Sequence, residues 1–448
     1  MNILLLGDIM LDINYICEVK RNAPEANIPV YNTIKTTYNL GGAGNVAINF
    51  KNLNCNIEII SKVGNDYGGN RIREILDSCD IKNKLFVTNS QTTIKNRIFH
   101  NSQIVNRHDI EDITPINDII ENEILEYIFS LKDIHAIVLS DYNKGLMSIR
   151  LISQIIKYAN ENDIYTFVDP KINDIIKYKD CFCFKPNYFE SKTITNNENI
   201  NEMFGILKEK YQFKNIVITD GENGMYINDI HNHIKHKNKI NIVDITGSGD
   251  IVLTVIVYVY LKEHDLLKAC KIANYVAGKG TTTIGNYHIS INDLDEYVEN
   301  IVYDYEIEKI KNIRKLSNNI IFTNGCFDII HSAHIKLLHY CKKQGELLVV
   351  GLNSDNSIKK IKGESRPINN INERCELLKH LYMVDYIIIF DDETPLKIIE
   401  YLTPNTIVKG GDYTVDTVIG KEYCESVLLY NYINGVSSTN IINKIKNQ

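Results

Sequence analysis

Two short runs in this chain combine acids, histidines and glycines at spacings that suit phosphate chemistry. In DITGSGD, Asp244 to Asp250, the residues Gly247, Ser248 and Gly249 lead into an apolar stretch, 251–261, that reads as a helix. Backbone amides at the start of such a helix can stabilise transferred phosphate oxygens. Asp250, in its first turn, can accept a proton from an attacking hydroxyl; a helix N-cap would also explain the Asp, but not the flanking glycines and Asp244. In TNGCFDIIHSAH, Thr323 to His334, two histidines stand three apart near a helix start, so both point the same way and can donate to a triphosphate. Metal binding competes with that reading, although no complete ligand set accompanies the pair, and simple capping and packing of the helix is a third reading. A further run, NLGGAGNVAIN, Asn39 to Asn49, places glycines at 41, 42 and 44 before Asn45, either to let a ligand approach the backbone or as a turn before a packed helix.

Such residues need elements to hold them. Short apolar runs ending in Gly, Asp or Asn alternate with amphipathic stretches: NILLLGD, IEIISKVGND, HAIVLSDY, YTFVDPK, CFCFKPN and NIVITDGENG. That alternation predicts an α/β fold with a parallel sheet covered on both faces, and ligands then sit at the carboxyl ends of the strands. Polar clusters line those ends: Gly7-Asp8, Ser140-Asp141, Asp169-Pro170-Lys171, Lys185-Pro186-Asn187 and Thr219-Asp220-Gly221. After the charged, helix-prone run DYEIEKIKNIRKLSNN the pattern restarts with NIIFTNGCFD, ELLVVGLNSD, YIIIFDD and TIVKGGDY. The expected boundary lies inside the charged run, giving units 1–308 and 309–448, the second a smaller parallel sheet of the same general kind.

Composition agrees with two units, because 448 residues are two to three times a typical domain. A net charge of -7 without long like-sign blocks argues against holding nucleic acid by counterion release. Ten irregularly spaced cysteines suggest neither a disulfide framework nor a zinc site, so a reducing cytoplasm is expected. The opening MNILLLGDIML suits a buried first strand better than a secretory signal, and IVLTVIVYVYL is too short to span a membrane.

GGAGN early and DITGSGD late resemble the ribokinase-like (PfkB) sugar kinases over the first two-thirds of the chain. The resemblance implies a ribokinase-like kinase domain with a small β lid, Asp250 as catalytic base and the amides of Gly247, Ser248 and Gly249 as anion hole. Asp12, Gly42 and Asn45 would hold the sugar. Asn187 and Glu190, on one helix face, would contact a magnesium-bound water with no direct metal ligand, and Thr219, Gly221 and Gly224 would form the nucleotide loop. Ser248 and Ile251 stand where Ala and Thr are common, and neither change removes a catalytic group.

TNGCFDIIHSAH, with NSDNSIKKIKGESRP, VKGGDY and VSSTNII after it, resembles the His-x-Gly-His nucleotidyltransferases, implying a Rossmann-like domain. Catalysis would then rest on His331, His334 and Lys362, and nucleotide binding on Thr323, Gly325, Phe327, Arg366, Lys409, Gly410, Asp412, Ser437, Ser438 and Thr439. Asp328 would contact the sugar phosphate. Ala333 replaces the motif glycine, and its methyl group is expected to weaken adenylyl transfer. Both domains in this order, with PEA, LSDYNKG and VDPK, resemble the bifunctional heptose enzymes of ADP-heptose synthesis. That resemblance implies phosphorylation of D-glycero-β-D-manno-heptose 7-phosphate at O1, then adenylyl transfer from ATP to the 1-phosphate after a separate phosphatase removes the 7-phosphate. ATP and Mg2+ are the implied cofactors, a homodimer through the kinase domain the implied assembly. Arg97, Arg107 and Lys171 are candidates for the 7-phosphate, or else part of a solvated lid face.

Overall fold

The computed structural model describes all residues except 102, 236–241, 284, 411–412 and 431–448. It divides into two units, Met1–Leu294 and Asp295–Gln448, so the division falls earlier than the expected 308/309 boundary. The physical reason is the strand Ile301–Tyr303, which pairs in parallel with Tyr386–Phe390 in the second sheet. The helix Ile307–Lys315 follows it, and Ile310 and Ile313, three apart on one face, pack into the second unit's core.

In the first unit, the main sheet among the described residues runs in the order Asp229–Ile234, Met225–Ile227, Asn215–Thr219, Cys183–Phe184, Tyr165–Asp169, Ala136–Ser140, Asn2–Gly7, Asn56–Gly64, Lys82–Thr88. Pairing is parallel from Asn215–Thr219 to Lys82–Thr88 and antiparallel at the other edge. Six of these are the expected strands, Lys82–Thr88, Met225–Ile227 and Asp229–Ile234 being additional, and the buried runs, such as Ala136–Ser140 with every residue buried, have helices against them. The helix Ile149–Glu161 shows how: Ser148 accepts from the Leu151 amide at 3.1 Å to start it, and Leu151, Ile152, Ile155, Ile156 and Ala159 form its buried stripe.

A second sheet of four strands forms the lid: Pro29–Gly42, Ile9–Asn22, Ile94–His100, Gln103–Ile110. Strand character was expected only around 95–109. The long hairpin Ile9–Asn22 with Pro29–Gly42 alternates polar and apolar residues too loosely to announce itself.

The second unit carries a six-stranded parallel sheet in the order Ile301–Tyr303, Tyr386–Phe390, Leu347–Asn353, Ile320–Gly325, Thr406–Gly410, Ser426–Tyr430. Its strands alternate between two cores: Ile320, Phe322, Leu347 and Val349 face one side, Ile321, Leu348, Val350 and Leu352 the other.

One buried ion pair ties a loop to the first sheet. Lys177 donates from Nζ to Asp141 at 2.7 Å and to the Met147 carbonyl at 3.1 Å, while the Tyr178 hydroxyl donates to the same carboxylate. Both Lys177 and Asp141 are buried, so removing the cation strands a charge. Lys177→Met is therefore expected to destabilise the first unit by about 3–5 kcal/mol, measured as a lowered midpoint in urea.

Candidate functional site

In the first unit the site grows from the start of the helix Ser248–Glu263, whose N-cap Gly247 has φ 75°. That left-handed backbone suits glycine, and a Cβ there would lie 2.9 Å from Asn45 Nδ2. Asp244 shapes the approach, accepting from the Thr246 amide at 2.9 Å and the Gly285 amide at 2.9 Å. Of the expected anion-hole amides, that of Ser248 already donates to the Ile245 carbonyl at 3.2 Å.

Asp250 is only 5% exposed. Its Oδ2 accepts from Asn45 Nδ2 at 2.7 Å and its Oδ1 from the Tyr142 hydroxyl at 2.8 Å. Burial pushes its carboxyl up to about 6, against the opposing effect of those two donors. Asn45 comes from the helix Ala43–Asn52, entered through Gly42. Tyr142 was not among the expected site residues; the SDY run following a strand was its only signal.

Lys185 was missed as well. It is 4% exposed, pairs with Asp169 at 2.9 Å, and its Nζ lies 3.9 Å from where a side chain on Gly249 would begin. A cation thus stands beside the helix N-terminus.

Asn187 and Glu190 form a reciprocal cap: Asn187 Oδ1 accepts from the Glu190 amide at 2.8 Å and Glu190 Oε2 from the Asn187 amide at 2.9 Å. Lys171 donates to Glu190 Oε1 at 3.0 Å, which brings it to this cap. Thr219 bridges to Asn187, and Gly221 and Gly224 flank a short turn after it. Among the described residues no group of three or more His, Cys, Asp or Glu side chains is arranged to hold a metal ion. With one contact already on each Glu190 oxygen, the cap fits a cation held through water better than a direct ligand set.

Under the lid lies a cavity of about 380 Å³ lined in part by Asp12, Asn39, Arg97, Asp244, Thr246 and Asn286. Arg97 pairs with Asp12 at 2.9 Å at its wall. Arg107 lies outside the lining and is taken up by Asp109 at 2.6 Å. Lys95, a neighbour of these on the lid, has its ammonium 5.9 Å from the centre of the Tyr142 ring.

In the second unit, His331 is the N-cap of the helix Ser332–Gln344, and its ring stacks on that of His334 with centroids 3.8 Å apart. Burial, His331 and Lys362 push His334 down to about 4, and burial lowers His331 too, so both rings are neutral at pH 7 and offer N–H donors without charge. Neither Nδ1 has a hydrogen-bond partner among the described residues. Phe327 packs against His334 at 4.9 Å, Thr323 and Gly325 lie in the strand below, and Lys409 donates to Asn324 one strand over. Burial brings the Lys409 ammonium down to about 8. Gly410 ends the neighbouring strand.

Asp328 serves its own loop: it accepts from the amides of Ile368 at 2.8 Å and Asn369 at 3.0 Å, and pairs with Arg366 at 2.9 Å. Only 2% exposed, it holds Arg366 and the loop that carries it. Arg374, fully buried and not anticipated, fastens the same region by donating to the carbonyls of Cys326, Asn353 and Asn369 and to Asp355. Asp412, Ser437, Ser438 and Thr439 lie outside the described residues.

Residues 2–292 match the model of the pfkB family of carbohydrate kinases and residues 322–445 that of the cytidylyltransferase-like proteins. The fold of the first part is that of Escherichia coli phosphofructokinase-2, whose crystal structure in complex with potassium superposes with a TM-score of 0.56 at 16% identity, covering 66% of this chain and 96% of that one. The chain is thus a carbohydrate kinase joined to a nucleotidyltransferase. Bifunctional protein HldE of Aliarcobacter butzleri is 36% identical across 99% of this chain and 97% of its own length, and that of Campylobacter jejuni (strain RM1221) is 36% identical across 100% and 97%. The chain belongs to the HldE family.

Two outcomes follow from the geometry. A buried carboxyl raised to about 6 from 3.8 binds more protons folded than unfolded, so it costs stability increasingly as pH rises through that window and fully above it. Asp250→Asn is expected to stabilise the first unit at pH 8 by up to about 3 kcal/mol, read as a raised thermal midpoint, with the gain fading below pH about 4. Ala333 stands half-buried in the turn between the two histidines. Ala333→Gly is expected to lower the KM for ATP or raise adenylyl-transfer turnover by up to about tenfold; steady-state rates unchanged in both would refute crowding.

Proposed function

We propose that the first unit transfers the γ-phosphoryl group of ATP to O1 of D-glycero-β-D-manno-heptose 7-phosphate. The second unit transfers the adenylyl group of ATP to heptose 1-phosphate, giving ADP-heptose and pyrophosphate. The observation that carries the kinase reading is Asp250, buried beside a glycine-rich helix start and held on both carboxylate oxygens with its carboxyl near 6. A base with that affinity is ionised at neutral pH and still able to take a proton. The heptose assignment is supported by end-to-end similarity to the HldE proteins.

In the kinase unit the sugar occupies the cavity beneath the lid, with Asp12 and Asn45 toward its hydroxyls and Arg97 toward its phosphate. Asp250 takes the proton of O1 as that oxygen attacks the γ-phosphorus. The free amides at the helix start and Lys185 face the equatorial oxygens, and ADP leaves on the side of Thr219 to Gly224. Asn187 and Glu190 would hold magnesium through water, which supplies neutralisation of phosphate charge.

In the second unit the heptose 1-phosphate oxygen attacks the α-phosphorus and pyrophosphate departs, so no covalent enzyme intermediate forms. His331 and His334 donate N–H groups to the phosphates, while Lys362, Arg366 and Lys409 supply positive charge. Asp412, Ser437, Ser438 and Thr439 complete the nucleotide site in this reading. A separate phosphatase removes the 7-phosphate between the steps, the enzyme works in the cytoplasm, and it pairs as a homodimer through the kinase unit.

Mass spectrometry of the protein with ATP, magnesium and heptose 7-phosphate tests both activities. Heptose bisphosphate alone is expected, turning to ADP-heptose when a heptose-bisphosphate phosphatase is added. Absence of bisphosphate would overturn the kinase assignment. Bisphosphate without ADP-heptose in the second tube would overturn the second.

A further inference from the structure

We infer that Tyr142 is a positioning residue for the kinase reaction, its hydroxyl holding Asp250 ionised and in one orientation. The inference rests on Asp250 being the base, as proposed above.

Three observations carry it. The Tyr142 hydroxyl donates to Asp250 Oδ1 at 2.8 Å, while Asn45 occupies the other oxygen, so each carboxylate oxygen has one donor and a remaining lone pair. The tyrosine's backbone is locked independently of its ring. Asp8, buried at the end of the first strand, accepts from the Tyr142 amide at 2.9 Å and the Lys144 amide at 3.1 Å, which fixes the loop that follows Ala136–Ser140. The ring is held too: Lys171 lies 5.5 Å and Lys95 5.9 Å from its centre. A side chain fixed at backbone, ring and hydroxyl has little freedom to lose when it orients a carboxylate.

The electrostatics agree in sign. A donor favours the charged carboxylate, and Tyr142 opposes the upward push of burial on Asp250. The other groups facing Asp250 are Asp169, which raises it, and Lys185 and Asn45, which lower it. Tyr142 itself stays protonated as donor because burial, Asp250, Asp169 and Asp12 all raise its hydroxyl well above its ordinary value.

Tyr142→Phe removes one oxygen and keeps the ring, and is the decisive variant. In protein carrying ¹³C-labelled aspartate, with the Asp250 signal identified by its loss in Asp250→Asn, the Asp250 titration is expected to move up by about one pH unit. The acid limb of kcat/KM for sugar phosphorylation should move with it, so the rate loss is about tenfold below the limb and small at pH 8. An Asp250 titration at the wild-type position, or a rate loss equal at all pH values, overturns the inference. The base assignment fails separately: Asp250→Asn would then retain phosphorylation, whereas an inactive Asp250→Asn with an unmoved Tyr142→Phe titration sinks only the role of Tyr142.

Discussion

A carboxylate buried at a helix start is unfavourable unless its oxygens find donors, and the first unit is organised around meeting that demand at Asp250. The two donors come from far apart in the chain, Asn45 and Tyr142. Each is placed by other constraints: Asn45 by the helix entered at Gly42, and Tyr142 by the loop that Asp8 fastens. The demand is met only in part, which is why the carboxyl stays near 6, a proton affinity that suits the proposed base. Stability is given up at the same place where proton affinity is tuned.

The second unit solves a different problem, the concentration of negative charge on a triphosphate. Its two imidazoles stack 3.8 Å apart, and burial, joined at His334 by the neighbouring ring and Lys362, favours their uncharged forms. In the proposed reaction positive charge comes from Lys362, Arg366 and Lys409, and a buried network holds the loop that bears Arg366. Asp328 pins the loop bearing Arg366, and Arg374 ties that loop to the ends of two strands. Neutral donors at the centre with cations around them suit a reaction whose charge is spread over several oxygens.

Much of this was legible before any coordinates. The central strands of both parallel sheets announced themselves as apolar runs ending in polar clusters, while Lys82–Thr88, Ile301–Tyr303 and Ser426–Tyr430 did not; the glycine-flanked Asp250 and the paired histidines stood out by type and spacing. Less legible were the lid hairpin, whose half-exposed strands lack a clean period, and the unit boundary. There a charged run hid the two isoleucines that bind it to the second core. That Asp328 pairs with Arg366 and fastens its own loop was not legible, because a motif specifies a residue and not the direction its side chain faces. Lys185, Tyr142 and Arg374 escaped for the complementary reason: each acts through partners distant in sequence.

By itself the sequence determined the class of chemistry, the two-unit α/β plan and the family, because these rest on local periodicity and on short motifs whose residues act from one loop or helix turn. Only the tertiary structure decided which oxygens of Asp250 are held and by whom. It alone showed that Glu190 is shared between a helix cap and Lys171, that Arg107 is spent on Asp109 while Arg97 lines the cavity, and that both histidines sit where burial disfavours their charged forms. Proton affinity and hydrogen-bond partnership depend on burial and on atoms brought together across hundreds of residues, and neither is encoded in any local stretch of the chain.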